Sequence, residues 1–262
     1  MSISKYLKVW SIMTFYTAQI ALQSRFGAVM FIIGKLLRFS FFLFFLLILG
    51  FKTKAIAGYS LWQMIFFFAT FNLIDTLAQF FLREVYRFRT YVVNGFLDFI
   101  LTKPFPPLLR SLFGGSDILD VPLIFISIAF VIIAASHIGQ ITLFGILIYN
   151  LLIFNAFFIA LAFHIFVLSV GVLTTEIDNT LFLYRDLTQM GRIPVDVYQE
   201  PLRGLITFFI PVGIMITFPA KALMGALSLE GIFISFLIGG LLFYFSLKLW
   251  HFALKHYASV SS

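Results

Sequence analysis

Long apolar runs constrain this chain more than any other feature. Six stretches, roughly 28–50, 60–82, 121–136, 141–173, 204–220 and 231–250, carry almost no charge. A helix of about 20 apolar residues crosses the roughly 30 Å of bilayer hydrocarbon, so each run is long enough, or nearly so, to be a span. The third is short and the fourth exceeds a straight crossing. Charged residues make up 11% of the chain, less than half the roughly 25% of a soluble domain, so too little polar surface exists to wrap a water-soluble core. The expected fold class is all-α: a polytopic membrane protein with six transmembrane helices. A transmembrane barrel would show short alternating segments instead.

Lys and Arg set the expected orientation. With the N-terminus inside, the inner side holds Lys5, Lys8, Arg25, Arg83, Arg87, Arg89, Lys103, Arg110, Arg185, Arg192, Arg203, Lys248 and Lys255. The outer side holds Lys52, Lys54 and Lys221. Both termini are therefore expected to be cytoplasmic. The net charge of +7 is spread over several loops, which argues against a nucleic-acid surface. Residues 1–25 lack a compact apolar core with a cleavage site, so they are read as retained. Tyr6, Trp10 and Tyr16 beside Lys5 and Lys8 suit the headgroup zone, and an N-terminal interfacial helix is expected there. The remainder, 26–262, is expected to form the six-span domain, with cytoplasmic loops at 83–120 and 174–203. The chain has no cysteine, and no metal site is expected.

Polar residues inside the spans are the first functional candidates, because hydrocarbon penalises them. Asn72, Asp75, Thr76 and Gln79 lie at i, i+3, i+4 and i+7, on one helical face. Lys35 and Arg38 sit one turn apart in the first span. The matched depth of Arg38 and Asp75 suggests an ion pair of Asp75 with Arg38 or Lys35, which either ties the bundle together or lines a substrate path. Asn150, Asn155 and His164 in the fourth span are weaker signals, expected to make hydrogen bonds between helices.

Two loops carry the remaining information. Residues 83–120 can continue the second span as a helix until Asn94-Gly95. A short apolar face of Leu97, Ile100 and Leu101 follows beside Asp98. Pro104, Pro106 and Pro107 then end any helix, and Leu108 to Phe113, with Arg110, make a second short amphipathic piece before Gly114-Gly115. This pair either packs on the protein's own inner surface or docks a cytoplasmic partner. The second stretch, 191–225, is punctuated by Pro194 and Pro201, with Arg203 at the start of the fifth span. Pro211 should kink that span, and Pro219 should help end it.

The segments NGFLDFILTKPFPPLLRSL and GRIPVDVYQEPLRGLITFFIPVGIMITFPAKALMG resemble the ABC-2 type permeases, and more narrowly the ABC-2 family transporter proteins. The matching positions are Gly95, Leu97, Asp98, Leu101, Lys103 and Pro104, then Pro194, Asp196, Tyr198, Leu202, Arg203, Thr207, Phe208, Ile210 and Pro211. Ile193 stands where many members have Tyr.

The resemblance implies a transmembrane subunit of an ATP-driven exporter in a bacterial plasma membrane. The 37 Phe of the chain and its few charges fit an apolar or amphipathic cargo. A separate cytoplasmic ATPase would hold the ATP and Mg, and a second permease subunit, identical or related, would complete the assembly. The loop 83–120 resembles the element that couples to the ATPase, with Gly95, Leu97, Asp98, Leu101, Lys103, Pro104 and Arg110 as its residues. No phosphate-cradling G-x-x-x-x-G-K-[ST] loop, nucleophile elbow or zinc motif is present, so no catalytic residues and no cofactor are expected on this chain. The alternatives are a secondary transporter or channel using Asp75 with Lys35 and Arg38, and a non-transporting membrane scaffold.

Overall fold

Each apolar run of the sequence becomes a helix because its backbone polar groups find partners only within the segment. The computed structural model describes residues 3–257 apart from 54, 140 and 176. Lys54, expected on the outer side, and the extreme termini lie outside the described residues. The helices are α1 (Ile3–Gln23), α2 (Arg25–Lys52), α3 (Leu61–Leu82), α4 (Phe88–Val93), α5 (Phe96–Leu101), α6 (Pro107–Phe113), α7 (Val121–Ser136), α8 (Leu143–Thr174), α9 (Asp178–Gln189), α10 (Leu202–Gly204), α11 (Phe218–Leu223) and α12 (Leu229–Lys255). Among the described residues five helices are long and apolar enough to cross a membrane, and a bent pair in the 202–223 region makes up to six. The chain is an all-α, polytopic integral membrane protein.

Polar caps fix where the helices begin. Ser60 accepts from Gln63 N at 3.4 Å while Gln63 Oε1 accepts from Ser60 N at 2.8 Å, a reciprocal box at the start of α3. Thr142 caps α8 through Gly145 N at 3.0 Å, and Ser228 caps α12 through Gly231 N at 3.1 Å.

α3 and α8 form the centre of the bundle. Met64 to Phe71 are all buried, and Ile159, Ala160 and Leu168 of α8 are equally enclosed. In lipid, helices associate through close packing and hydrogen bonds rather than hydrophobic transfer. The α8–α12 contact shows this. Asn155 Nδ2 donates to Ser235 O at 2.9 Å, and a Cβ on Gly239 would meet Asn155 Oδ1 at 2.2 Å. Glycine at 239 leaves the room that the Asn155 amide occupies. Asn150 and His164 instead donate to carbonyls of their own helix, Ile146 O at 2.8 Å and Ala160 O at 2.7 Å. His164 also meets the Tyr184 ring edge-on at 4.9 Å. α2 and α12 are peripheral, with exposed faces carrying Phe41, Phe44, Phe233 and Phe245.

The two ends of the bundle differ. At the end where α3 finishes, the short helices α4, α5 and α6 pack with α1, whose Trp10 stacks on Phe81 at 6.3 Å and whose Tyr6 meets Phe105 edge-on at 5.4 Å. We call this the loop end. Tyr59, just before α3, marks the far end.

The expected cytoplasmic loop 174–203 departs from the sequence reading. α9 folds back along α8, with Tyr184 against Phe163 and His164, and carries the chain toward the far end. There Asp196 accepts from Tyr59 OH at 2.9 Å and pairs with Lys221 at 2.8 Å. Asp196, expected in a cytoplasmic loop, is therefore at the end of α3 opposite the loop 83–120, where it pairs with Lys221, expected on the outer side. Arg192, expected on the inner side, lies between the Phe42 and Phe71 rings, well within the lengths of α2 and α3. The physical reason is that α9 is amphipathic. Its apolar side has the bundle to pack on, and Gln189 at its end accepts from Arg38 of α2. The fifth span is likewise no straight crossing. Leu202–Phe209 and Gly213–Leu223 meet at 75°, with Pro211 in the break.

Candidate functional site: a charged cleft and a loop-end knot

The cleft lies between α2, α3, α7 and the end of α9. Lys35, Arg38, Asn72, Asp75, Thr76, Gln79 and Arg192 line it, walled by Phe39, Phe68 and Leu123. Its free space is narrow, about 30 Å³. The candidates on α2 and α3 therefore do converge, and the pairing is specific. Arg38 Nη2 stands 3.9 Å from Asp75 Oδ2 and donates to Gln189 Oε1 at 3.1 Å. Gln79 Nε2 donates to Asp75 Oδ2 at 3.0 Å.

Lys35 does not pair with Asp75. It forms its ion pair with Asp120, just before α7, and donates to Gln79 Oε1 at 3.4 Å. Closer to the loop end, Arg83 Nε lies 3.4 Å from Asp117 Oδ2. Asp117 and Asp120 were not legible as partners, because the chain must fold back through the whole loop 83–120 to bring them there. The one available signal was two acids three residues apart at the mouth of a span. Asp120 is fully buried, and its Oδ2 has no partner among the described residues. Asn72 turns its amide back to Phe68 O at 2.7 Å, and Thr76 is buried.

The loop end is organised by a different residue. Glu84 sits in a 3₁₀ turn (Arg83–Arg87) that extends α3, and its side chain is 2% exposed. Its Oε1 accepts from Arg110 Nη1 and Tyr91 OH, both at 2.6 Å, and its Oε2 accepts from Arg87 Nη1 at 3.1 Å. Burial alone would lower the Arg110 pKa, but the bond and charge of Glu84 outweigh it and hold the guanidinium above its ordinary value. The i, i+3, i+7 spacing of Glu84, Arg87 and Tyr91 was a readable sign of one shared face.

This knot positions the other loop residues. Gly95 caps α5 at φ +72°, where a side chain would be strained. Leu97 is fully buried, Asp98 and Leu101 are half-buried, and Lys103 and Pro104 are exposed. Tyr257, past the end of α12, lies beside Asp98. Phe96 (51% exposed) and Phe99 (62%) instead face outward. With Val9, Ile100, Lys103 and Phe105 they line a groove of about 320 Å³.

The motif of the bent fifth segment gathers at the far end. Pro194 is buried, and Val195 N donates to Thr217 Oγ1 at 3.1 Å. Asp196 joins Tyr59 to Lys221. Tyr198 OH donates to Met190 O at 2.9 Å, and Arg203 pairs with Glu200 at 2.7 Å. Pro219 is buried in α11. Burial first, and then the Asp196 carboxylate, push the Tyr59 phenol above its ordinary range.

A family model described as ABC-2 family transporter protein matches residues 35–261, nearly the whole chain and both motif-bearing segments. The chain belongs to the ABC-2 transporter family. An ABC-2 permease is the membrane component of an ABC transporter, not itself the catalytic part, and associates with an ATP-binding subunit. No curated protein and no solved structure matches this permease. Among the described residues no group of three or more His, Cys, Asp or Glu is placed to hold a metal ion.

Proposed function

We propose that this permease is the transmembrane subunit of an exporter driven by a separate cytoplasmic ATPase, which carries the ATP and Mg. In this reading the loop end faces the cytoplasm of a bacterial plasma membrane and α1 lies in the interfacial plane. Residues 26–262 act as one translocating domain, paired with a second permease subunit, identical or related. The charged cleft is the substrate path, and the cargo is apolar or amphipathic rather than a nucleic acid.

The observation that carries this reading is the loop-end element. It is fixed by a fully paired buried carboxylate, yet it turns two large aromatic rings away from the bundle over an apolar groove with Lys103 at its rim. Rigid, exposed aromatic anchors are what a protein partner grips. Movement imposed there by ATP binding reaches α3 directly, because the Glu84 turn continues that helix. This biases a two-state membrane domain from outside.

Of the coupling residues expected from sequence, Gly95, Leu97, Asp98 and Leu101 act as scaffold and Arg110 as tether, while Lys103 and Pro104, joined by Phe96 and Phe99, form the contact surface. The test is Phe96→Glu with Phe99→Glu, expressed with the ATPase encoded alongside. ATPase recovery on the tagged permease should fall at least tenfold while membrane insertion is unchanged. Full association and ATP turnover in the double variant would move the docking surface elsewhere.

A further inference from the structure

The charges along the cleft do not balance. Three cation–carboxylate pairs run up its length: Arg83–Asp117, Lys35–Asp120 and Arg38–Asp75. α9 and the turn after it add two more arginines, Arg185 and Arg192, and neither forms an ion pair with any described residue. Arg185 is within electrostatic reach of Tyr86, as are Asp75, Arg83 and Asp120. Arg192 lies deeper, its guanidinium 5.4 Å above the Phe42 ring and 5.9 Å above that of Phe71, and its Nε is buried with no hydrogen-bond partner. A guanidinium contacted by aromatic rings and lacking a direct ion pair can offer its in-plane N–H groups to a planar or tetrahedral oxyanion.

Asp75 acts on Arg192 only at longer range, and Arg38 opposes it; an arginine at this depth without a direct partner is costly and marks a functional site by default. The outward face of α2, turned away from Arg192, carries an apolar groove of about 410 Å³ lined by Leu37, Ser40, Phe41, Leu43, Phe44 and Leu47. Leu37 directly precedes Arg38, whose side chain is 42% exposed. Arg38 stands between the two faces of the helix, so an oxyanion in the cleft and an alkyl chain on the outward face would meet across it.

We propose that the cleft binds the anionic head, phosphate or carboxylate, of an amphipathic molecule, with Arg192 as the principal contact and Arg38 and Arg185 as supporting charges. The apolar tail of the molecule passes Arg38 to the outward face of α2. Arg192 supplies the missing half of an ion pair that the substrate completes. This assignment rests on the reading of the cleft as the substrate path. It narrows the cargo to an acidic amphiphile.

Binding is measured on the purified full-length permease in neutral detergent, by thermal shift with dodecyl phosphate, dodecyl glucoside and inorganic phosphate as probes. Dodecyl phosphate should raise the melting temperature saturably in the wild type. Arg192→Gln should weaken that apparent affinity at least tenfold, with Arg192→Lys in between because it keeps the charge but loses the fork. An unchanged affinity in Arg192→Gln, or an equal response to dodecyl glucoside, overturns the proposal. An equal response to inorganic phosphate overturns its amphiphile half and leaves a free-anion site.

A diazirine-bearing alkyl phosphate needs no folded variant. Crosslinks to wild-type residues 35–47, 68–79 or 185–192 support the site, and crosslinks confined elsewhere refute it. Neither readout requires the ATPase. Anion binding without ATPase association would sink the exporter reading alone, and the converse would sink this inference alone.

Discussion

Glu84 and Arg192 are both charges sunk among packed helices, and the protein treats them in opposite ways. Glu84 is answered on every side: two arginines and a tyrosine occupy its two oxygens within 3.1 Å. Arg192, half-buried, has two phenylalanine rings and Asp75 within electrostatic reach but no direct ion pair among the described residues. A buried charge that is fully paired holds a shape. A buried charge left open is tolerated only if something else completes it for part of a working cycle. The loop end is thus built to stay rigid under a partner's push, and the cleft is built to accept and release.

The sharpest way to break this comparison is to remove each charge in turn. Glu84→Gln leaves Arg110 and Arg87 beside a neutral amide in a buried setting. Taking one partner from a buried pair costs about 3–5 kcal/mol, so this variant should unfold far more easily in detergent. Arg192→Met removes an unanswered cation and keeps an unbranched stem of similar bulk. It should unfold no earlier than the wild type, and later if burial of the lone charge was the larger cost. Equal destabilisation of the two variants in chemical denaturation would erase the distinction between closed knot and open cleft.

An intermediate effect is expected at the far end. Asp196 is shared by Lys221 and Tyr59, so removing one donor leaves the carboxylate still paired. Tyr59→Phe should cost about 1.5–3 kcal/mol, the usual range for a hydrogen bond to a charged group. The loss should appear as faster hydrogen exchange in residues 193–198 with little change at α4–α6. The phenol pKa is raised in the folded state. Its contribution is therefore complete below the ordinary tyrosine value of about 10 and fades only as pH rises through the higher folded value. The difference between wild type and variant should hold constant from pH 6 to pH 9. A difference that grew or shrank across that window would mean another group carries the linkage.

The same contrast explains what was legible in the sequence. The spans over α2, α3, α7, α8 and α12 were readable because apolar length is the whole requirement for crossing a bilayer. The break at Gly95 and the two short helices around Pro104–Pro107 were readable because glycine and proline act locally. The path of α9 was not. Its sequence, DNTLFLYRDLTQ, is too polar to register as a membrane element, and its place is set by distant partners: Phe163 and His164 of α8 and Arg38 of α2. Arg192 went with it, counted as an inner-side cation although it lies between Phe42 and Phe71. Leu97 and Leu101 read as a docking face, yet the apolar side of a short helix serves its own core first. The outward rings, Phe96 and Phe99, flank the motif positions and were passed over for that reason.

The smallest effect belongs to the pair that sequence alone nominated. Arg38 and Asp75 are 3.9 Å apart, with side chains 42% and 21% exposed. Such a pair is worth under about 1 kcal/mol, because each charge keeps other partners and part of the attraction is screened. Gln79 also donates to Asp75, and Gln189 accepts from Arg38. A double-mutant cycle of Arg38→Gln and Asp75→Asn should therefore return a coupling energy below about 1 kcal/mol. A coupling several times larger would make the pair a structural clamp and place the cleft in the same class as the Glu84 knot. A small stability coupling, with dodecyl phosphate affinity lowered by Arg38→Gln and raised by Asp75→Asn, would separate the two regions further. In that case the ordinary role of Asp75 is to occupy the arginine that the anion must win.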